Sequence, residues 1–274
     1  MEIFALRTPL IQPHTDLLTT LTQALDAQVP NVPLVDGDIV CIASKVVALA
    51  QGRVVELARV TPSAAAQAAA NHHISPALAQ VILDEADRAF PVPGPFWLTV
   101  KDNIFIANAG VDLSNAPKGT AILWPHATWE WAADFRRQLM AHFGVARLGV
   151  VVADSHLIPL RRGVTGIALA FAGFEGIQKE VGVPDLFGRP LAVTYKSTAD
   201  DLAAAAVLVM GEGAERTPFA VARAAPVQFT DRPIDPAEVT IDLTEDLFAV
   251  LVREQLGREQ LVHKQSAAQD MQDC

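Results

Sequence analysis

Cysteine is scarce in this chain, with two among 274 residues, Cys41 and Cys274. Two thiols so far apart in sequence make neither a disulfide framework nor a C-x-x-C redox or metal motif. Cys41 lies in an apolar run and reads as a small buried hydrophobe. Basic residues are also the minority: 21 Lys and Arg face 31 Asp and Glu, giving a net charge of −10 with both signs interspersed. No basic face is expected, which excludes a general nucleic-acid binder. No apolar span is long enough to cross a membrane without polar interruption, so no membrane partner is expected. The start, Met-Glu-Ile-Phe-Ala-Leu-Arg-Thr-Pro, has no basic segment leading into an apolar one, and a cytoplasmic protein is the expectation. The signatures G-x-x-x-x-G-K-[ST] and G-x-G-x-x-G are missing, which excludes ordinary P-loop and Rossmann sites. H-E-x-x-H and G-x-S-x-G are missing too, excluding the common zinc-protease and α/β-hydrolase sites.

What is present is apolar: 51% of the residues are hydrophobic, enough for a sizeable core. Strand-like and helix-like stretches alternate irregularly. Strands are expected at Asp38–Ala43, Phe96–Val100, Ile104–Ala107, 148–153, Gly166–Phe171, Leu191–Tyr195 and Phe219–Ala222. Asp102–Asn103 is the turn signal between the second and third of these. Helices are expected after Ser44 up to Gly52, over Thr61–His73, over Ala77–Phe90 behind a Ser75–Pro76 cap, and over Ala127–Phe143 before Gly144. Two more are expected at Asp200–Met210 and, amphipathic, at Leu243–Leu256. Without a regular βαβ rhythm the fold class is α/β of the mixed kind, mixed sheets with flanking helices, and neither Rossmann nor P-loop. One unit over 1–260, with room for two intertwined subdomains, is expected ahead of a frayed tail at 261–274.

The most informative stretch is 148–163, Leu-Gly-Val-Val-Val-Ala-Asp-Ser-His-Leu-Ile-Pro-Leu-Arg-Arg-Gly. A continuous apolar run reads as a strand covered on both faces. It ends in Asp154 and Ser155, hard oxygen ligands suited to a divalent cation. Arg161 and Arg162 follow, with guanidinium forks suited to phosphate or carboxylate. The competing reading is a strand end with a solvated aspartate and two surface arginines. His156 invites a catalytic role but also fits an ordinary loop position, and His72–His73 read as solvated.

Further segments occur in a telling order: Thr8-Pro9-Leu10-Ile11, Gly37-Asp38 through Ala43-Ser44-Lys45, Ala107-Asn-Ala-Gly-Val-Asp-Leu-Ser-Asn115, Asp185-Leu-Phe-Gly188 and Met210-Gly-Glu-Gly213. On these segments, from about residue 5 to about residue 225, the chain resembles the coenzyme F420-0:L-glutamate ligase family. The Asn-Ala-Gly-Val-Asp-x-Ser-Asn segment is the most specific of them.

The resemblance implies a homodimeric amide ligase dependent on GTP and on Mg²⁺ or Mn²⁺, with K⁺ a further candidate ion. Its substrates would be L-glutamate and an acceptor carboxylate, F420-0 first, activated as an acyl phosphate. By position Asp112, Asp154, Ser155 and Glu212 match the metal ligands. Thr8, Pro9, Leu10, Ile11, Ser44, Lys45, Asn115 and the segment Met210 to Thr217, including Gly211, Gly213 and Thr217, match the guanine-nucleotide contacts. The chemistry is coherent, because phosphoryl transfer needs charge neutralisation and in-line positioning rather than a protein nucleophile. Arg161, Arg162 and Asp154 are the expected catalytic groups.

Three departures stand out. Family members carry Gly-Arg where this chain has Leu157-Ile158, and Ser-Lys where it has Ala48-Leu49. Trp124, Trp129 and Trp131 replace an acidic run, and read either as a stacking platform for a flat acceptor or as helix packing. These changes leave open a paralogue acting on another acid, such as a folate-type acceptor. A nucleotide-binding protein without ligase activity is the remaining alternative.

Overall fold

A computed structural model of the protein describes residues 1–28, 32–92, 94–242 and 245–248. The elements, in chain order, are β1 (Glu2–Leu6), α1 (Leu17–Asp26), β2 (Asp38–Ala43), α2 (Ser44–Ala50), β3 (Val54–Glu56), α3 (Ala64–Ala69), α4 (Pro76–Glu85), β4 (Arg88–Phe90), β5 (Leu98–Lys101) and β6 (Ile104–Ala107). They continue with β7 (Thr120–Ile122), α5 (Thr128–Phe143), β8 (Leu148–Leu157), β9 (Val164–Ala172), β10 (Ile177–Lys179), β11 (Tyr195–Ser197), α6 (Thr198–Met210) and β12 (Phe219–Arg223). The contacts divide the chain into two compact units, residues 1–61 with 110–239, and residues 62–109 with the described residues beyond 239.

The first unit is built on a five-stranded sheet in the order β1-β12-β2-β8-β9. Only β2 and β8 run parallel; the other neighbours are antiparallel. The fold is therefore mixed α/β, as the irregular pattern implied. On one face Ile39, Cys41, Val151, Ala153, Ala220 and Ala222 pack against Ala199, Leu202, Ala203, Ala206 and Met210 of α6. Val40, Ile42, Val150, Val152 and Val221, alternating with these, are buried as well, so the central strands are covered on both sides.

The alanines of α6 let its backbone approach β9 closely. A Cβ added at Gly166 would lie 2.3 Å from the Ala203 carbonyl oxygen. Gly166→Ala should therefore force the helix off the sheet, at a cost of about 3 kcal/mol in urea unfolding. A cost below about 0.5 kcal/mol would show that this approach is not constrained.

The second unit holds a three-stranded antiparallel sheet, β4-β5-β6, beside α3 and α4. Asp102 and Asn103 turn β5 into β6 with φ of 49° and 60°, the left-handed pair that a two-residue hairpin requires. Trp97 is fully buried here.

Several boundaries differ from the expectation. The helix expected at Thr61–His73 is confined to Ala64–Ala69. The one expected at Ala77–Phe90 starts at Pro76 and stops at Glu85, and Arg88–Phe90 instead pairs with β5. The strand expected at Leu191–Tyr195 begins only at Tyr195, where β11 pairs with β10. β8 runs past Ala153 to Leu157, because β9 pairs with it to the end. β1, α1, β3, β7 and β10 are additional elements. Most of the expected helix at Leu243–Leu256, and the tail at 261–274, lie outside the described residues.

Candidate active site

Strand order and direction gather the motif segments. β2 and β8 run parallel, β12 runs against β2, and β1 runs against β12. The carboxyl ends of β1 and β2, the far half of β8 and the amino end of β12 therefore share one end of the sheet. Carboxyl ends of strands are where α/β sheets place ligands. Thr8 follows β1, Ser44 and Lys45 follow β2, Asp154 and Ser155 lie in β8, and Met210–Thr217 leads into β12. All of them belong to the first unit, as do Asp112 and Asn115.

These residues form a connected circuit. The Thr8 N–H donates to the Arg216 carbonyl at 2.8 Å. The Thr217 hydroxyl donates to the Met210 carbonyl at 2.5 Å, closing the loop after α6. Asn115 Nδ2 reaches the Gly213 carbonyl at 3.2 Å. Lys45 Nζ lies 2.6 Å from Asp112 Oδ2. The Ser44 side chain lies beside the Asp154 carboxyl and acts to lower its pKa. Ser155 Oγ lies 2.7 and 2.9 Å from the two Glu212 carboxylate oxygens.

Asp112 is placed by a strained approach. Asn108, Ala109 and Gly110 all have left-handed backbones, with φ of 52°, 54° and 72°. A Cβ at Gly110 would lie 2.9 Å from the Trp124 ring, so only glycine fits. Reciprocal backbone bonds with Ile122, each 2.9 Å, then hold Asp112. Burial pushes its carboxyl up, but Lys45 and Ser114 outweigh that and keep it below the usual carboxylate range.

Asp154 is the opposite case. Burial pushes its carboxyl up to about 6, overcoming the lowering effect of Ser44, the bond from the Ser155 N–H and the attraction of Lys45; the Asp112 charge adds to the rise. Its position inside β8 follows a step in register between Val152 and Ala153, where β9 carries an extra residue. His156, on the same strand, is half-buried; desolvation lowers its pKa against the pull of Asp200. Its Nδ1 has no hydrogen-bond partner among the described residues.

Of the other expected nucleotide contacts, Ile11 is buried while Pro9 and Leu10 are exposed. Gly211 has φ of 76°, and the Gly213 N–H donates to the Glu215 carboxylate at 2.7 Å. Arg161 and Arg162 are exposed in the turn between β8 and β9, with Leu157 and Ile158 exposed beside them. The tryptophans pack: Trp124 is buried, Trp129 meets Phe171 edge-on at 5.1 Å, and Trp131 stacks on Phe135 at 4.7 Å.

Two participants lie inside the matched segments but were given no role of their own from sequence. Ser114 caps Asp112, its N–H donating to Oδ1 and its hydroxyl to Oδ2, each at 2.7 Å. The Asp-x-Ser spacing is a turn signal that could have found it. Glu215 lies in the Met210–Thr217 segment, and the turn of that loop brings its carboxylate to the Gly213 N–H.

Carboxylates, hydroxyls, a lysine and glycine-bounded backbone gather at the strand ends of a mixed α/β sheet, a set of groups of the kind found in enzymes that bind charged substrates. Residues 5–224 match the F420-0:gamma-glutamyl ligase family, and the chain belongs to that family. It is 35% identical over 215 residues to the coenzyme F420:L-glutamate ligase of Methanopyrus kandleri, covering 78% of this chain and 82% of that one. Over 232 residues it is 37% identical to the ligase of the same name from Haloarcula marismortui, covering 81% and 87%. Against that from Methanocaldococcus jannaschii the identity is 37% over 207 residues, covering 75% and 82%. The protein is accordingly an enzyme of the ligase class. Among the described residues no helix is long and apolar enough to cross a membrane.

Proposed function

We propose that this protein joins L-glutamate to the carboxylate of F420-0, using GTP and a divalent metal and passing through an acyl phosphate. The observation that supports this most directly is the circuit linking Lys45, Asp112, Ser44, Asp154, Ser155 and Glu212 at one end of the sheet.

In the proposed chemistry an acceptor carboxylate oxygen attacks the γ-phosphorus of GTP. The bond from that phosphorus to the bridging oxygen breaks, and GDP departs with the electron pair. The glutamate amine then attacks the acyl carbon; the amide bond forms, phosphate leaves, and the nitrogen loses a proton. The site has little covalent work to do beyond holding charge and alignment.

Asp112, Asp154, Ser155 and Glu212 would hold Mg²⁺ or Mn²⁺. The donor set suits such an ion, since every donor is oxygen and the half-buried Asp154 carboxyl stays raised despite its neighbours. Among the described residues, no three His, Cys, Asp or Glu side chains already close on one point. The ion would supply neutralisation of phosphate charge. The Gly211–Gly213 backbone and Lys45 would meet the nucleotide phosphates, and Arg161 and Arg162 an anionic group of the acceptor.

Incubation with GTP, Mn²⁺, L-glutamate and F420-0 should release GDP and add a glutamyl residue to the coenzyme, read by mass spectrometry. A second reading, ligation to another acid such as a folate-type acceptor, draws on Leu157 and Ile158, exposed where family members carry Gly-Arg. GDP release with such an acid but not with F420-0 would favour it. No GDP release with any acceptor would sink both.

A further inference from the structure

The lysine at this site is fully occupied. An ammonium has three N–H donors. Those of Lys45 meet Asp112 Oδ2 at 2.6 Å, the Ser114 carbonyl at 3.0 Å and Ser114 Oγ at 2.9 Å. None is left for an incoming anion. The Lys45 side chain is 26% exposed and that of Asp112 43%, so the pair is partly open to solvent, and Lys45 lies near Asp154 as well.

The same carboxylate oxygen would be wanted by a divalent cation. With an ammonium 2.6 Å from Oδ2, a second cation on that oxygen would meet direct like-charge repulsion. Asp112 itself need not move when the cations exchange. Its Oδ1 is anchored by the Ser114 N–H and its main chain by Ile122. Lys45, on a flexible four-carbon stem, is the mobile partner.

We propose that Lys45 is the internal counter-ion of the Asp112 carboxylate: its ammonium holds the place of a divalent cation in the metal-free protein, and metal binding displaces it toward an anionic substrate. This inference rests on the metal-dependent reading above and assigns Lys45 a positioning role beyond a static phosphate contact. It explains how two carboxylates, Asp112 and Asp154, are kept close together before any metal arrives. It also couples the two halves of the site, since the charge that binds phosphate is released only once the metal is in place.

The test is Mn²⁺ binding to the whole protein without nucleotide, followed by loss of the free-ion signal in electron paramagnetic resonance. Lys45→Gln should bind Mn²⁺ about tenfold more tightly than wild type, because the competitor is gone. The gain should vanish when Asp112→Asn is also present. Unchanged or weaker binding by Lys45→Gln overturns the inference and leaves the metal reading standing. A gain that persists undiminished with Asp112→Asn also overturns it, since that is a general field effect. If no variant and no wild-type protein binds Mn²⁺, both readings fall. Wild-type protein gives an independent measure should Lys45→Gln not fold. Labelling of Lys45 by an amine-reactive reagent, read on peptides by mass spectrometry, should rise several-fold on adding Mn²⁺. Labelling that stays constant or falls overturns the displacement.

Discussion

The Asp154→Asn variant is expected to turn over at least about 10³-fold more slowly than wild type in the GDP-release assay, the loss of several kcal/mol of charge stabilisation. It is expected at the same time to melt at the same temperature as wild type or higher. The two expectations come from one fact. Burial raises the Asp154 carboxyl to about 6 despite the nearby Lys45, so the ionised group is held at a cost to folding. Asparagine keeps the shape and the oxygen that accepts the Ser155 N–H at 2.9 Å, and removes the charge. A site that holds an unfavourable charge for use in catalysis gains stability when that charge is removed. Turnover within tenfold of wild type would remove Asp154 from the catalytic machinery. A melting temperature lowered by many degrees would show that its charge supports the fold.

The Arg223→Ala variant should do the reverse. Asp38 is fully buried, and Arg223 holds it through Nε to Oδ1 at 2.9 Å and Nη2 to Oδ2 at 2.7 Å. Removing the guanidinium leaves the buried carboxylate, among the described residues, with the Val35 N–H at 2.9 Å. The expected cost is about 3–5 kcal/mol, a fall in melting temperature on the order of 10 °C, followed by circular dichroism. Turnover per folded molecule should hardly change, because Asp38 opens β2 and Arg223 closes β12, at the end of the sheet away from Asp154. A shift of only a degree or two would mean that water reaches the Asp38 carboxylate. The two aspartates thus look alike as strand residues and differ in what their charge is for.

Elements with strong local causes were legible. β2 came out at its observed bounds, since its run is wholly apolar after Gly37-Asp38. α5 stops at Gly144, whose φ of 67° is the left-handed ending glycine permits. Ser75 and Pro76 opened α4 as capping chemistry requires, with the Ser75 hydroxyl accepting the Leu78 N–H. Short strands were not legible. β4, β7 and β10 are three residues each, and their backbone bonds exist only because β5, β3 and β11 lie alongside. The tryptophan cluster had two readings in sequence, and packing against Phe171 and Phe135 is a property of folded neighbours.

The sequence by itself determined the chemical inventory of this protein: which segments carry carboxylates, hydroxyls and glycines, and the family they belong to. It also determined the helices and strands whose stability is local. Which residue meets which was decided by the tertiary structure alone. Lys45 and Asp112 are 67 positions apart, and Ser155 and Glu212 are 57 apart. The order β1-β12-β2-β8-β9 brings the ends of β2 and β8 and the loop before β12 to one side of the sheet, and Asp112 is held by its bridge to Ile122 of β7. The raised Asp154 carboxyl and the saturated Lys45 follow from that convergence, whereas the Ser114 clamp on Asp112 is local. Desolvation and short-range charge depend on distance in space, and distance along the chain does not supply it.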